Sequence, residues 1–358
     1  MKECYLTGDL LTDENKSLEH IIPNALGGKI KSKNILSKNA NTKLLKNIDD
    51  NFNKIFEIFY RRLSLKKDRN VKTGLIGIIK EYNKEVISKD NKCFPRKPLY
   101  DPEKKIIYAQ SIKIGNGFLK KYKSENKINK EENVKVLTDM SGTIEFKFSL
   151  DNDIFPNGLA KIACGYASLC GINRSDLIDV IDFEKNKFKD RLIVIPYYPA
   201  SKQEMLFEKQ FLNSIHTPIH SLVLKGSSID RILYCHVELF SVFQYTIILN
   251  TEYSGTDIYE SYFFDLLESK EISYPEYINS IFNDIVMKSI LPKYRSFNRR
   301  NIDFMVDVVK NKKTLLKSYT FDKFESIEKL IAYQELQKKM EILDKKFSSQ
   351  QSTVIKNK

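Results

Sequence analysis

Along the first 65 positions the apolar residues change period, and the change separates short strands from a helix. Residues 3–6 and 17–22 read as strands on either side of a polar loop. The second strand runs into "PNALGG" (23–28), where a proline and two glycines dictate a turn. A further strand is predicted near 29–31 and a helix from 36–37. In "DDNFNKIFEIFYRRLSL" (49–65) Phe52, Ile55, Phe56, Phe59 and Leu63 recur at helical spacing, with Asp49 or Asp50 as N-cap. Lys54, Arg61 and Arg62 fall on the opposite face.

Farther on, "TGLIGIIKEYNKEVI" (73–87) predicts a helix, "CFPRKPLYDP" (93–102) a loop and "KKIIYAQSIKIG" (104–115) a hairpin. The stretch 120–135 has few apolar anchors and reads as a linker or exposed loop. After it "GTIEFKFSL" (142–150) alternates as a strand, and "NGLAKIACGYASLCGI" (157–172) is apolar enough for a buried helix. A buried strand at 190–198 and neighbouring antiparallel strands within 220–226 and 230–249 follow. Helices are expected at 274–291, 301–313 and 322–347. These elements divide the chain into 1–65, a basic helical and loop region 66–135, a mixed α/β domain 136–320 and a charged helix with tail 321–358.

The charge distribution sharpens this division. Residues 1–130 hold 29 Lys/Arg against 15 Asp/Glu, whereas the remaining residues hold 30 against 31. The net charge of +13 therefore sits wholly in the first part. A basic surface confined to one region is what a phosphate backbone attracts, through steering and counterion release. No apolar run approaches the roughly 18–20 residues of a membrane span. The N-terminus lacks the apolar core of a secretory signal. Five scattered cysteines suit reduced thiols rather than a disulfide framework. Together these features lead us to expect a cytoplasmic protein without a membrane partner.

Glu19-His20-Ile21-Ile22-Pro23, then Gly27-Gly28, Asn34 and Asn41, occur in an order that resembles the HNH endonucleases. The resemblance covers residues 1–65. It implies an N-terminal ββα-metal module; with the larger mixed α/β domain closed by C-terminal helices that the hydrophobic pattern predicts, the chain is expected to be α+β. It further implies that His20 is the general base that activates water, that Asn34 orients it, and that Glu19 and Asn41 are ligands of one divalent ion. An imidazole titrating near neutrality suits the first role. A carboxylate with an amide oxygen is a hard donor set, matched to Mg²⁺ or Mn²⁺. The substrate implied is double-stranded DNA, its backbone held by Lys43, Lys46, Arg61, Arg62, Lys66, Lys67 and Arg69, and a homodimer is compatible with such a protein.

The sequence departs from its relatives at the two Cys-x-x-Cys pairs, which here read Cys4-x-x-Thr7 and Ser37-x-x-Ala40. One cysteine of four cannot build a Cys₄ site, so no structural zinc is expected. That loss keeps a rival in play: a nucleic-acid-binding protein with an HNH shell that no longer cuts. A nuclease gated by a ligand- or partner-sensing C-terminal domain is a further alternative. Elsewhere, His216 and His220 are separated by Pro218, which spoils a helical metal pair, and His236 with Glu238 reads as an interior polar pair on one face of a strand.

Overall fold

The computed structural model describes residues 2–62, 74–89, 92–142, 144–145, 153–197, 211–212, 214–281, 338–339 and 342. Lys66, Lys67, Arg69 and almost all of the expected helices at 301–313 and 322–347 lie outside the described residues. The fold is mixed α+β, with several antiparallel sheets. The chain forms two compact units, Met1–Leu65 with Asp151–Lys358, and Lys66–Leu150. Among the described residues no helix is long and apolar enough to cross a membrane.

The N-terminal segment opens with turns rather than the strand expected at 3–6. Gly8 takes φ +77° and donates to the Cys4 carbonyl, so the chain doubles back and only Glu3 bridges to Leu10. Strand β1 (Glu19–His20) pairs antiparallel with β2 (Lys31–Ser32), setting Glu19 opposite Ser32 and His20 opposite Lys31. Between them Asn24–Leu26 form a 3₁₀ turn closed by Gly27 at φ +88°, a left-handed value that costs a side chain strain. A Cβ on Gly28 would lie 2.0 Å from the Ile22 carbonyl oxygen, so the second glycine is required by close approach. A wide π-type turn at Ala40–Leu44 leads into α1 (Lys46–Arg62). Its apolar stripe, Phe52, Ile55, Phe56, Phe59 and Tyr60, is buried, while Lys54 is exposed. Because α1 starts at Lys46, Asp49 lies in its first turn instead of capping it.

The second unit holds strands where the sequence reading expected helix. β3 (Leu75–Ile79) and β4 (Lys84–Lys89) form a hairpin turning at Asn83, φ +48°. Isoleucines favour a pleated surface, and Gly74 and Gly77 disfavour helix. The sheet runs β5 (Lys92–Pro95), β4, β3, β9 (Ile144–Glu145). The hairpin expected at 104–115 is divided: β7 (Ile106–Tyr108) pairs with β6 (Leu99–Asp101) and, in parallel, with β8 (Lys135–Leu137). Ser111 then caps α2 (Ile112–Ser124) by accepting from the Ile114 N–H. The stretch 120–135 is no linker: Ile128 and Val134 join Ile107 in a core flanked by Phe118, Leu119 and Tyr122.

The remainder of the first unit is built on α3 (Ile154–Leu169), a buried helix as its composition dictates. A two-stranded ribbon follows, β10 (Ile181–Asp182) with β11 (Lys187–Phe188). Then comes an antiparallel sheet ordered β12 (Val194–Pro196), β15 (Phe243–Asn250), β14 (Ile232–Leu239), β13 (Ile219–Ser227), β16 (Ile258–Asp265), β17 (Lys270–Ile272). The described strand within 190–198 is a short, half-buried edge, where Pro196 can be accommodated. Helix α4 (Tyr274–Ile281) packs Tyr277 and Ile278 against Ile219 and Phe263.

One face of this sheet carries α3, which packs across β13, β14 and β15 and also against α1. A Cβ on Gly158 would meet the Phe52 ring at 2.0 Å, so the two helices touch through a position that admits no side chain. Gly158→Ala is therefore expected to destabilise the protein by about 1–3 kcal/mol, the cost of overpacking a filled core. A urea midpoint unchanged from the native chain would contradict this contact.

Candidate functional site

Of the residues singled out in the sequence, Glu19 and Asn41 meet where β1, the turn before α1 and α3 converge. Glu19 and His20 are successive residues of β1 and so face opposite sides of the strand; Glu19 is buried and His20 half-buried. Asn41, in the π-type turn, hydrogen-bonds the Glu19 carboxylate and donates through Nδ2 to Ser17 Oγ at 2.9 Å. Asn34 is exposed on the turn after β2, its backbone N–H donating to Ser32 Oγ at 3.1 Å. Lys43 and Lys46 are exposed around the start of α1. Arg61 and Arg62 form its last turn, and their side chains are not described.

Two residues that the sequence reading did not assign complete the cluster. The Lys161 ammonium, carried by α3, donates to Glu19 Oε1 at 2.6 Å and to both Asp49 oxygens at 2.6 Å. Lys161 is 5% exposed. A lysine is almost never so buried unless it is paired. The available signal was a single charge inside "IFPNGLAKIACGYASL", an otherwise uncharged helix.

Burial pushes the Glu19 carboxyl above its ordinary range, against the downward pull of Lys161 and with a further rise from Asp49. Tyr5 lies wholly buried nearby with no hydrogen-bond partner for its hydroxyl. Burial, then Glu19, raises its pKa.

By donor type, Glu19, Asn41 and Asp49 suit a hard cation. By arrangement they do not fit one here, because one ammonium already engages both carboxylates. A divalent ion about 4 Å from that ammonium would be repelled by about 8 kcal/mol at an effective dielectric of about 20. Among the described residues no group of three or more His, Cys, Asp or Glu side chains could hold a metal ion.

The other histidines serve the fold. His220 is fully buried; its Nε2–H donates to the Leu26 carbonyl at 2.8 Å and its Nδ1 accepts from Phe240 N–H at 3.2 Å. It thus ties the "PNALGG" turn to the sheet in the neutral form, and burial lowers its pKa to about 4. His216 pairs with buried Asp265 at 2.8 Å. His236 meets Thr246 Oγ1 at 3.1 Å, and Glu238 accepts from Ser221 Oγ at 2.6 Å. These interior polar groups are satisfied, as buried polar groups generally are.

Residues 4–57, which span β1, β2 and most of α1, match the family model described as HNH endonuclease. No curated protein and no solved structure matches the chain. The match covers the strand pair, the Gly27-Gly28 turn, and the positions of Glu19, His20 and Asn41, so this segment is similar to the HNH endonucleases.

Proposed function

We propose that the N-terminal segment is the catalytic module of an endonuclease that hydrolyses phosphodiester bonds of double-stranded DNA, its strand pair and helix forming the ββα unit. The observation that carries this reading is the hydrogen bond between Glu19 and Asn41, with His20 next to Glu19 on β1, within the family-matched residues. His20, as neutral imidazole, accepts a proton from the attacking water. The water oxygen then bonds to phosphorus as the phosphorus–oxygen bond of the leaving strand breaks. Asn34 steadies the loop beside His20. Lys43, Lys46, Arg61, Arg62, Lys66, Lys67 and Arg69 hold the DNA backbone, contacts that position without reading sequence. HNH nucleases generally use a divalent ion, which in our reading is Mg²⁺ or Mn²⁺. Glu19 and Asn41 would be free to hold it only with Lys161 displaced.

The test is cleavage of supercoiled plasmid in Mg²⁺, in Mn²⁺ and in chelator. His20→Ala should cut at least about 100-fold more slowly, the lower end for loss of a general base, while binding DNA with native affinity. Equal cutting by both proteins would exclude His20 from the chemistry. Binding without cutting by either would leave a nucleic-acid-binding module.

A further inference from the structure

We propose that Lys161 is an internal cation in competition with the divalent ion for Glu19, so that metal enters this centre only when α3 gives up its ion pairs. The proposal rests on the reading of Glu19 as a metal ligand and adds Lys161 and Asp49, on which that reading is silent.

The geometry resembles a small coordination shell. Three carboxylate oxygens, one from Glu19 and two from Asp49, stand 2.6 Å from a single nitrogen. Oxygen ligands surround a hard metal ion at comparable distances, about 2.0–2.6 Å. An ammonium with three donors can satisfy three such acceptors, and here it does.

The lysine is also fixed in place. Its helix packs Gly158 on the Phe52 ring, Gly165 toward Ile21 and Ile35, and Phe155 edge-on to Tyr245 with ring centroids 5.0 Å apart. Lys161 is therefore a core residue whose charge is delivered by the packing of α3, not a surface side chain that happens to reach the site. Its side chain can rotate away only into surroundings that supply another partner or water, so release is costly and the site is biased to the metal-free form.

Charge balance nonetheless allows exchange. Two carboxylates meet one ammonium, leaving the cluster short of one positive charge. A divalent ion would supply that charge if the ammonium withdrew. The buried Tyr5 hydroxyl has no hydrogen-bond partner, and after burial itself the charge of Glu19 is the largest cause of its raised pKa.

The experiment is Mn²⁺ binding by the full chain, read from the free-ion signal in electron paramagnetic resonance, for wild type, Lys161→Gln and Lys161→Arg, each with and without Glu19→Gln. The expected result is that K161Q binds Mn²⁺ at least tenfold more tightly than wild type or K161R, and that E19Q removes the gain. Equal Glu19-dependent affinity in wild type and K161Q would overturn the proposal. So would a gain that survives E19Q, or the absence of Glu19-dependent binding in every variant.

Because K161Q leaves buried Glu19 and half-buried Asp49 without a cation and can fail to fold, a second measurement uses the unaltered chain. Acylation of the Lys161 amine by acetic anhydride, followed by mass spectrometry, should rise severalfold as Mn²⁺ is added. Protection that persists while Mn²⁺ occupies Glu19 would refute the exchange. Plasmid cutting is scored separately. Exchange without cutting defeats the nuclease reading alone, and cutting with no effect of Lys161 on metal affinity defeats this inference alone.

Discussion

Phe56→Ala is expected to lower the stability of the chain by about 3–5 kcal/mol, the range for removing a fully buried aromatic side chain. Phe56 has no exposed surface. Its ring lies 4.9 Å from Phe52, 6.1 Å from Phe155, 5.9 Å from Phe240 and 4.9 Å, edge-on, from Phe243. Such pairs add to the energy of area burial. The cluster joins α1, most of which lies in the family-matched segment, to α3 and the β14–β15 turn, both distant in sequence. The loss should therefore appear as one cooperative shift of the urea midpoint, with the HNH segment and the sheet unfolding together. A variant in which the sheet keeps its native midpoint while α1 melts alone would show that the two parts are energetically separate.

Acid should destabilise the protein well above the pH at which carboxylates titrate. His220 and His236 are held neutral, each with its pKa lowered from 6.5 to about 4. Burial is the main cause for both, and the charge of Lys339 adds to it for His236. In the unfolded chain both regain ordinary values, so between about pH 6.5 and 4 the unfolded state binds more protons. Stability is then fully present above pH 6.5 and falls as pH drops through that window. At pH 5 the loss is about 2 kcal/mol for each histidine, about 4 kcal/mol together. Against a usual total of about 5–15 kcal/mol this is a large fraction.

Glu19, whose carboxyl is raised by burial, acts in the opposite sense, because its protonated form is favoured by folding. Urea unfolding at pH 7.5 and at pH 5 measures the sum, and His236→Asn should remove about half of the histidine contribution. A midpoint that does not move between these pH values would contradict the buried neutral state of both residues.

The parts of the fold legible in the sequence are those whose partners lie close along the chain. The stripe from Phe52 to Phe59 marked α1 because one helix face repeats every three to four residues. The double glycine marked the turn after β1, since Gly27 needs a left-handed φ and Gly28 admits no Cβ. The apolar segments of β13, β14 and β15 were equally plain. At 73–87 the pattern failed because a run of isoleucines in a short segment satisfies either period. The turn at Asn83, φ +48°, and the pairing of β3 with β4 across it decided for strand. At 120–135 the composition looked like a linker because two well-placed residues, Ile128 and Val134, suffice to anchor it.

For the site, the sequence by itself determined which residue types stand together on β1 and on the turn before α1. Glu19, His20 and Asn41 belong to one local motif, on β1 and the turn before α1. Only the tertiary structure decided what surrounds them. Lys161 reaches Asp49 across 112 positions and His220 reaches the Leu26 carbonyl across 194. No periodicity encodes such contacts, because they depend on how α3 and the sheet pack against the module. A hydrophobic pattern specifies which face of an element is buried, but not which charge the opposing element brings to it. For this protein that charge is an ammonium, placed on the Glu19 carboxylate.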